Sequence, residues 1–399
     1  MGVGTISPTG YFYLFVCLAL FGIGDFLAVV TKARLSSVFV ALLLFLFGFM
    51  SGILPANIID QAGLSQVAKW ASAFLIFHMG TLINLRELAR EWRTVLLSVL
   101  AMLATILAIL ACIPLVGREA AIVAIPVMKG GIIATQIITT AALAKGLKLA
   151  AAFAALVYAM HKFVGTPIAS YCGVHEAEKI LQKYREGQLA MGSAVSAASG
   201  ADGAKKPLYV RLGWEKFFTD YFCLAVTALF AWLSVLIEKA TGVSYSITVL
   251  FLGATIAYFG IVPPKILDRA KTSGFLTMVI FASIIPSMSG IYMKDIVLLF
   301  YQMVIIFVAT LISTYLCFYF LPLWKIVGSK NLAIGITMAN MIGFPATWLV
   351  ANEIASTVAK NENEREIIMK TIMPTYVIAG FATVTTLSIV IAGIFEKFL

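Results

Sequence analysis

Charged residues are scarce in this chain of 399 residues: Asp, Glu, Lys and Arg together make up only 12% of it. Soluble domains carry about 25% charged residues, so the composition excludes a soluble globular protein. Hydrophobic residues account for 61%, and the mean hydropathy is +0.99. The sequence therefore predicts an all-α polytopic membrane protein embedded in the lipid bilayer.

The chain also lacks the motifs of metal centres and enzymes. Its five cysteines do not have the paired spacing of a zinc site or a disulfide framework. HExxH, phosphate-loop, GxSxG and CxxC patterns are absent, which argues against an enzyme. The net charge of +10 is not gathered in one soluble module. We therefore expect no nucleic-acid partner, no cofactor and no metal other than a coupling sodium ion.

Stretches of about 20 apolar residues are the unit of a membrane-spanning helix. We predict five in each half of the chain: 11–31, 36–54, 68–83, 94–116 and 148–171, then 217–238, 244–262, 274–291, 296–321 and 367–395. The chain divides accordingly into a first membrane repeat, 1–171, a cytoplasmic linker, 172–216, and a second membrane repeat, 217–399. The linker segment 191–206 is rich in Ala, Ser and Gly and is predicted to be flexible.

An interrupted hydrophobic segment precedes the fifth span of each half. The first, at about 120–145, contains AIPVMKGGIIATQ from Ala124, and the second, at about 331–358, contains AIGITMANMIGFP from Ala333, 209 residues later. Paired broken segments in two halves are the best sequence indication of a transporter's binding site. Because non-helical backbone at membrane depth must line a cavity or be buried in protein, we predict that both segments are re-entrant.

Five spans per repeat, an odd number, make the second repeat insert upside down relative to the first. With the N-terminus outside, 19 basic residues fall in inside loops and 7 in outside loops, the bias that the positive-inside rule predicts. The bias requires both interrupted segments to be re-entrant. Ile113-Pro114-Leu115 also matches Leu321-Pro322-Leu323, 208 residues later. We therefore predict two inverted repeats, each of five transmembrane helices and one re-entrant helix.

Small, hydroxyl and amide residues gather at the two interruptions. Freed backbone amides and helix N-termini suit carboxylates, whereas freed carbonyls suit sodium. The predicted substrate-binding residues are Lys129, Gly130, Gly131, Thr135, Gln136, Thr337, Asn340, Gly343 and Thr347. The alternative interpretation is that Gly and Thr mark close helix packing, as they do in any membrane bundle.

Lys129 is the most informative single residue, because an ammonium group deep in a membrane is costly and indicates function. It either pairs with a substrate carboxylate or occupies the place of a coupling cation. Alternatively, the tip reaches the aqueous surface and Lys129 snorkels. Broken or kinked helix ends elsewhere supply the predicted cation-binding residues, which are Gly80, Thr81, Asn84, Asn352 and Thr375.

The layout and two of three short motifs carry a resemblance to a known family. Gly343–Thr347 with Ala351-Asn352 forms one motif, Met79–Leu85 a second, and the interrupted segment at Lys129–Ile133 a third. The first two resemble the second hairpin and the segment after the third span of the bacterial sodium/glutamate symporter (ESS) family. The third departs from that family's first hairpin, which carries a glycine- and histidine-containing signature.

The resemblance implies an elevator-type transporter, a homodimer, in the bacterial inner membrane. We predict a sodium-coupled secondary active transporter of a small anionic substrate, a carboxylate or a glutamate-like amino acid. The departure at Lys129 leaves a proton-coupled or exchange-type organic anion carrier as the alternative. A channel fits less well, because channels more often use pore-lining rings repeated across subunits.

Overall fold

The computed structural model describes residues 8–31, 37–186, 207–343 and 346–399, and within them it is helical without a strand. The α-helices of the first half are α1 (Pro8–Val30), α2 (Ser37–Met50), α3 (Ile58–Gln61), α4 (Leu64–Leu82), α5 (Leu85–Arg90), α6 (Trp92–Ala111), α7 (Ile113–Val116), α8 (Arg118–Met128), α9 (Ile132–Ala144) and α10 (Lys148–Arg185). The predicted flexible segment, 191–206, lies outside the described residues.

The second half begins with α11 (Leu208–Arg211). It continues with α12 (Asp220–Thr241), α13 (Tyr245–Tyr258), α14 (Ile266–Arg269), α15 (Ser273–Ile284), α16 (Met293–Tyr315), α17 (Lys330–Ile342), α18 (Ala346–Val358), α19 (Glu362–Phe381) and α20 (Ser388–Phe395). Short 3-10 helices cover Trp214–Phe217, Ile285–Met288, Pro322–Ile326 and Glu396–Phe398, and π-helical turns cover Leu316–Phe320 and Ala382–Leu387.

Six helical stretches among the described residues are long and apolar enough to cross a membrane. They are Thr9–Val30, Trp92–Ala111, Lys148–Arg185, Asp220–Thr241, Met293–Phe320 and Glu362–Phe398. The other four predicted spans fold as α2, α4, α13 and α15, which are shorter or less apolar. The all-helical membrane protein is therefore supported, and a crossing by each of these four helices stays a prediction.

The fifth predicted span is longer than its apolar run. α10 continues without a break for 38 residues, so the predicted boundary between repeat and linker at 171/172 falls inside a helix. At 1.5 Å per residue α10 is about 57 Å long, well beyond the roughly 30 Å hydrocarbon core of a bilayer. Its last residue, Arg185, donates to both carboxylate oxygens of Glu364, at 2.8 and 2.9 Å, which anchors this end of α10 to the start of α19.

Two long helical elements form the frame around which the interrupted segments pack. One is α10, and the other is the stretch 362–398, in which the π-helical turn Ala382–Leu387 joins α19 to α20. All four helices of the interrupted segments, α8, α9, α17 and α18, contact α10. The first pair also contacts α20 and the second pair contacts α19.

Candidate binding site between two helical hairpins

The first interrupted segment folds as a helical hairpin. α8 begins beside the end of the 362–398 stretch, where Arg118 Nη2 donates to the Phe398 carbonyl at 2.8 Å. The helix ends at Met128, and the chain has turned by Gly131, where a methyl group would lie 2.7 Å from Val384 Cγ1. α9 then packs against Glu396–Phe398 again. The break therefore lies at the far end of two helices that start and finish near the same place.

The second interrupted segment also folds as a hairpin. Before α17, Ser329 Oγ donates to the Glu176 carboxylate of α10. The chain reaches its turn at Gly343, whose φ of +75° lies in the left-handed region that favours glycine. In the returning helix α18, Thr347 packs on Gly380, and Ile354 packs on Gly173 of α10. The predicted Phe344 and Pro345 of this turn lie outside the described residues.

The two hairpin tips meet at one residue, Val384. A methyl group at Gly131 would lie 2.7 Å from its Cγ1, and one at Gly343 would lie 3.0 Å from both of its γ-carbons. The first hairpin reaches Val384 from the C-terminal end of the 362–398 stretch, and the second reaches it from the N-terminal end. The tips therefore converge at the π-helical turn Ala382–Leu387.

Lys129, at the first tip, is fully buried. Its ammonium Nζ has one hydrogen bond, to the Ala101 carbonyl of α6 at 3.4 Å, which is long for such a bond. It forms no ion pair with any residue of the described ranges. The side chain does not snorkel to the surface, and its charge lacks a protein counter-charge in the described part of the chain.

Asn340, near the second tip, is equally buried but well paired. In the amide orientation that satisfies its neighbours, the two N–H groups of the side chain have three acceptors within reach: the carbonyls of Ile336 and Ala379, both at 3.1 Å, and Ser98 Oγ at 3.2 Å. Ser98 and Ala101 are neighbours on one face of α6, so both hairpins contact the same helix. The pairing of Asn340 favours the packing interpretation for this residue.

The other predicted substrate-binding side chains of the first hairpin are also buried. Thr135 Oγ1 donates to the Gly131 carbonyl at 3.0 Å. Gln136 accepts from Ser72 Oγ at 2.8 Å and donates to Thr140 Oγ1 at 3.2 Å, so it ties α9 to α4. Gly130 lies against Pro126 and Ser388, with no room for a side chain.

In the second hairpin, Thr337 and Thr347 are fully buried and differ in their hydrogen bonds. Thr337 Oγ1 donates to the Ile334 carbonyl at 2.8 Å, within its own helix. Thr347 Oγ1 has no hydrogen-bond partner in the described ranges. The Thr347 hydroxyl is therefore available to a ligand, whereas the Thr337 hydroxyl is already used.

Several buried polar atoms around the hairpins lack a partner among the described residues. They include the hydroxyls of Thr139, Thr347 and Thr386 and the Nε2 atom of His161. His161 lies in α10 with its Nδ1 atom 3.1 Å from the Val157 carbonyl, and the nearby Gly165 packs on Met341 of the second hairpin. Buried polar groups are nearly always paired in native proteins, so the unpaired Thr347 hydroxyl close to the break at Gly343 makes that tip a candidate ligand site.

The predicted cation-binding residues after the third span have other roles. Gly80 lies so close to the Leu250 carbonyl and Gly253 of α13 that a side chain would collide with that helix. Thr81 Oγ1 donates to the His78 carbonyl at 2.7 Å. Asn84 caps α5 by accepting from two backbone N–H groups. These contacts favour helix packing and capping over cation binding.

The remaining two predicted cation-binding residues, Asn352 and Thr375, also have hydrogen-bond partners within the protein. Asn352 Nδ2 donates to the Trp348 carbonyl at 3.3 Å, and its Oδ1 accepts from Arg365 at 3.4 Å. Thr375 Oγ1 donates to the Thr371 carbonyl at 3.2 Å, in a helix that continues through Pro374 to Phe381. Each of the five predicted cation-binding residues thus has packing or hydrogen-bond partners within the protein, and cation binding by them stays a prediction.

Besides the two hairpin tips, the site is bounded by residues of α6 and of the π-helical turn Ala382–Leu387, which the sequence did not indicate. Ala101 and Ser98 of α6 lie in an ordinary apolar run, and Val384 and Thr386 lie in ATVTTL, which contains neither Gly nor Pro. The only local signal is a set of hydroxyls that bond back within the helix, as Thr383 Oγ1 does to the Ala379 carbonyl at 2.8 Å. Such bonds are common in membrane helices and do not by themselves identify a site.

Comparison with known proteins adds no family assignment: no family model matches the chain, and no curated protein matches it significantly.

Proposed function

We propose that this protein is a secondary active transporter of a small carboxylate or amino acid, whose carboxylate binds between the hairpin tips against Lys129. The observation that carries the proposal is the fully buried ammonium of Lys129, which has no carboxylate partner in the described ranges. An uncompensated buried charge costs several kcal/mol, so an anionic ligand would stabilise it strongly. The unpaired hydroxyls of Thr347 and Thr386 would complete the contacts.

The proposed architecture is two inverted repeats, each with five transmembrane helices and one re-entrant hairpin. The approach of the hairpins to Val384 from opposite ends of one helical stretch supports it. A second observation concerns α6 and α16, the fourth predicted span of each half. Ser313 Oγ donates to the Ala104 carbonyl at 3.0 Å, and these residues are 209 apart in sequence, the same offset as the interrupted segments. Equivalent residues touch only near a two-fold axis, so this contact is what inverted repeats predict.

The turn after each fourth span gives further support. α7 and the 3-10 helix Pro322–Ile326 both begin with a proline at their first or second position. Each follows directly on a long apolar helix and precedes a hairpin. On the basis of the resemblance to the ESS family, we further propose that the protein works by an elevator-type cycle and forms a homodimer. It would lie in the bacterial inner membrane, with the linker on the cytoplasmic side.

Sodium is the proposed coupling ion, and the second candidate is a proton-coupled or exchange-type carrier. One observation favours the second candidate. The side chains predicted to bind a cation at Asn84, Asn352 and Thr375 all have other hydrogen-bond partners. Lys129 would then supply the positive charge that the coupling cation supplies in a sodium-coupled carrier.

Uptake into proteoliposomes tests the proposal. Purified full-length protein is reconstituted, and uptake of radiolabelled glutamate, aspartate, succinate and malate is measured under an inward sodium gradient, with choline in place of sodium, and under a proton gradient. We expect saturable uptake of at least one of these anions that is driven by sodium. Uptake without sodium would support the second candidate. Unsaturable flux at channel-like rates, or no uptake of any anion, would contradict the proposal.

A further inference from the structure

A cavity of about 410 Å³ lies beside the π-helical turn Ala382–Leu387. It is bounded by α1, α2, α4, α14, α15 and that turn. Three phenyl rings, those of Phe21, Phe281 and Phe381, provide apolar wall. Small-molecule sites typically enclose about 300–1,000 Å³, so the cavity has the size of a site for a small organic molecule.

The carboxylate side chains that line the cavity are those of two aspartates. Asp25 and Asp268 both line it, and no Lys or Arg does so among the described residues. Asp25 forms no ion pair with a residue of the described ranges, and the carboxylate of Asp268 is 48% exposed. The cavity therefore favours a cation, in contrast to the tip of the first hairpin.

His78 is a buried polar residue of this cavity, with 3% exposure. The backbone N–H of Leu267 donates to its Nδ1 atom at 3.3 Å, so that atom carries no proton. The proton of the neutral ring is then on Nε2, which is 3.7 Å from Asp268 Oδ1 and beyond hydrogen-bond distance. His78 thus leaves the aspartate charges uncancelled and offers an N–H donor that makes no hydrogen bond within the described part of the chain.

We propose that this cavity binds a small organic cation, namely an amine that also carries a hydroxyl or carbonyl oxygen. The ammonium group lies against Asp25 and Asp268, and the oxygen accepts from His78 Nε2–H. The carbon chain packs on the phenyl rings, whose faces also attract a cation. The site is separate from the anion site at Lys129, and its occupancy does not depend on the proposed transport function.

Equilibrium dialysis tests the ligand class. Purified full-length protein in detergent micelles is dialysed against radiolabelled 4-amino-1-butanol, n-butylamine or 1-butanol, with empty micelles as the correction for partitioning. The second probe lacks the oxygen and the third lacks the charge. We expect 4-amino-1-butanol to bind most tightly and each removal to weaken binding roughly threefold to tenfold. Equal binding of all three probes, or no binding of the amines, would overturn the proposal.

Substitutions test the position of the site. Asp268→Asn and Asp25→Asn are each expected to weaken binding of the amines about fivefold and to leave 1-butanol unchanged. Asp60→Asn is the matched control, because Asp60 is exposed in α3 and does not line the cavity. The thermal unfolding midpoint of each variant verifies its fold. If both cavity variants keep their unfolding midpoint and their affinity for 4-amino-1-butanol, the proposal is wrong.

Discussion

The two hairpin tips meet at the same valine but differ in how their polar side chains are satisfied. Lys129 at the first tip and Asn340 at the second are both fully buried. The ammonium of Lys129 has one hydrogen bond of 3.4 Å, whereas the two N–H groups of the Asn340 amide have three acceptors at 3.1–3.2 Å. The Asn340 amide therefore has its partners within the protein, whereas the Lys129 ammonium lacks a counter-charge among the described residues. We interpret Asn340 as a structural residue and Lys129 as the residue that binds substrate.

The largest effect is expected from Lys129→Met, which keeps the length of the side chain and removes its charge. We expect the variant to fold, because an unpaired buried charge is destabilising, and to lose about 100-fold in the specificity constant for anion uptake, roughly 2.7 kcal/mol. Proteoliposome uptake measures the loss. The matched control is Lys145→Met, since Lys145 is exposed at the far end of the same hairpin. Equal loss in both variants, or unchanged kinetics of Lys129→Met, would contradict the comparison.

Asn340→Leu is expected to act on stability. It removes the amide that donates to the carbonyls of Ile336 and Ala379, and a buried hydrogen bond contributes about 0.5–1.5 kcal/mol net. The thermal unfolding midpoint in detergent should fall clearly. Asn363→Leu, at an exposed position of α19, is the control and should leave the midpoint unchanged. If Asn340→Leu keeps the stability and abolishes substrate binding instead, then the second tip also binds the ligand.

Gly343→Ala tests the contact at the second tip. The added methyl group meets Val384 at 3.0 Å, in a backbone conformation with a φ of +75° that disfavours alanine. Together these effects should lower the free energy of unfolding by about 1–3 kcal/mol. Gly63→Ala separates them, because Gly63 has the same φ but open space around it. A Gly343→Ala variant as stable as Gly63→Ala would mean that the contact with Val384 is not tight.

The smallest effect on stability is expected from Thr347→Val. Its hydroxyl has no partner in the described ranges, so the change should alter the free energy of unfolding by less than about 1 kcal/mol. Substrate affinity should fall roughly threefold to fivefold if the hydroxyl binds the ligand. Thr383→Val provides the comparison, because that hydroxyl donates to the Ala379 carbonyl at 2.8 Å. Unchanged transport by Thr347→Val would remove Thr347 from the site.

Local chemistry made part of this fold predictable from the sequence. Each of the ten predicted apolar runs contains a helix, because a long apolar stretch can satisfy its backbone in a membrane only by helix formation. The two breaks were also predictable, since Gly130, Gly131 and Gly343 disfavour helix and Lys129 places a charge in an apolar run. Both breaks occur in the structure at those residues.

The remaining features depend on contacts between distant residues. The apolar run of α10 does not predict that this helix continues to Arg185. Long-range pairs, Glu176 with Ser329 and Arg185 with Glu364, hold its last turns to the second half of the chain. The convergence on Val384 likewise has no local signal. The five predicted cation-binding residues were chosen from local breaks and kinks, and packing gave them other partners.

The most direct test of the central claim is stabilisation of the protein by its ligand. The thermal unfolding midpoints of the wild type and of Lys129→Met are measured in detergent with increasing glutamate, aspartate, succinate or malate. A ligand at 100 times its dissociation constant stabilises a protein by about 2.7 kcal/mol. We expect that at least one of these anions raises the midpoint of the wild type and leaves that of Lys129→Met unchanged. An equal rise in both proteins, or none in the wild type with any of them, would contradict it.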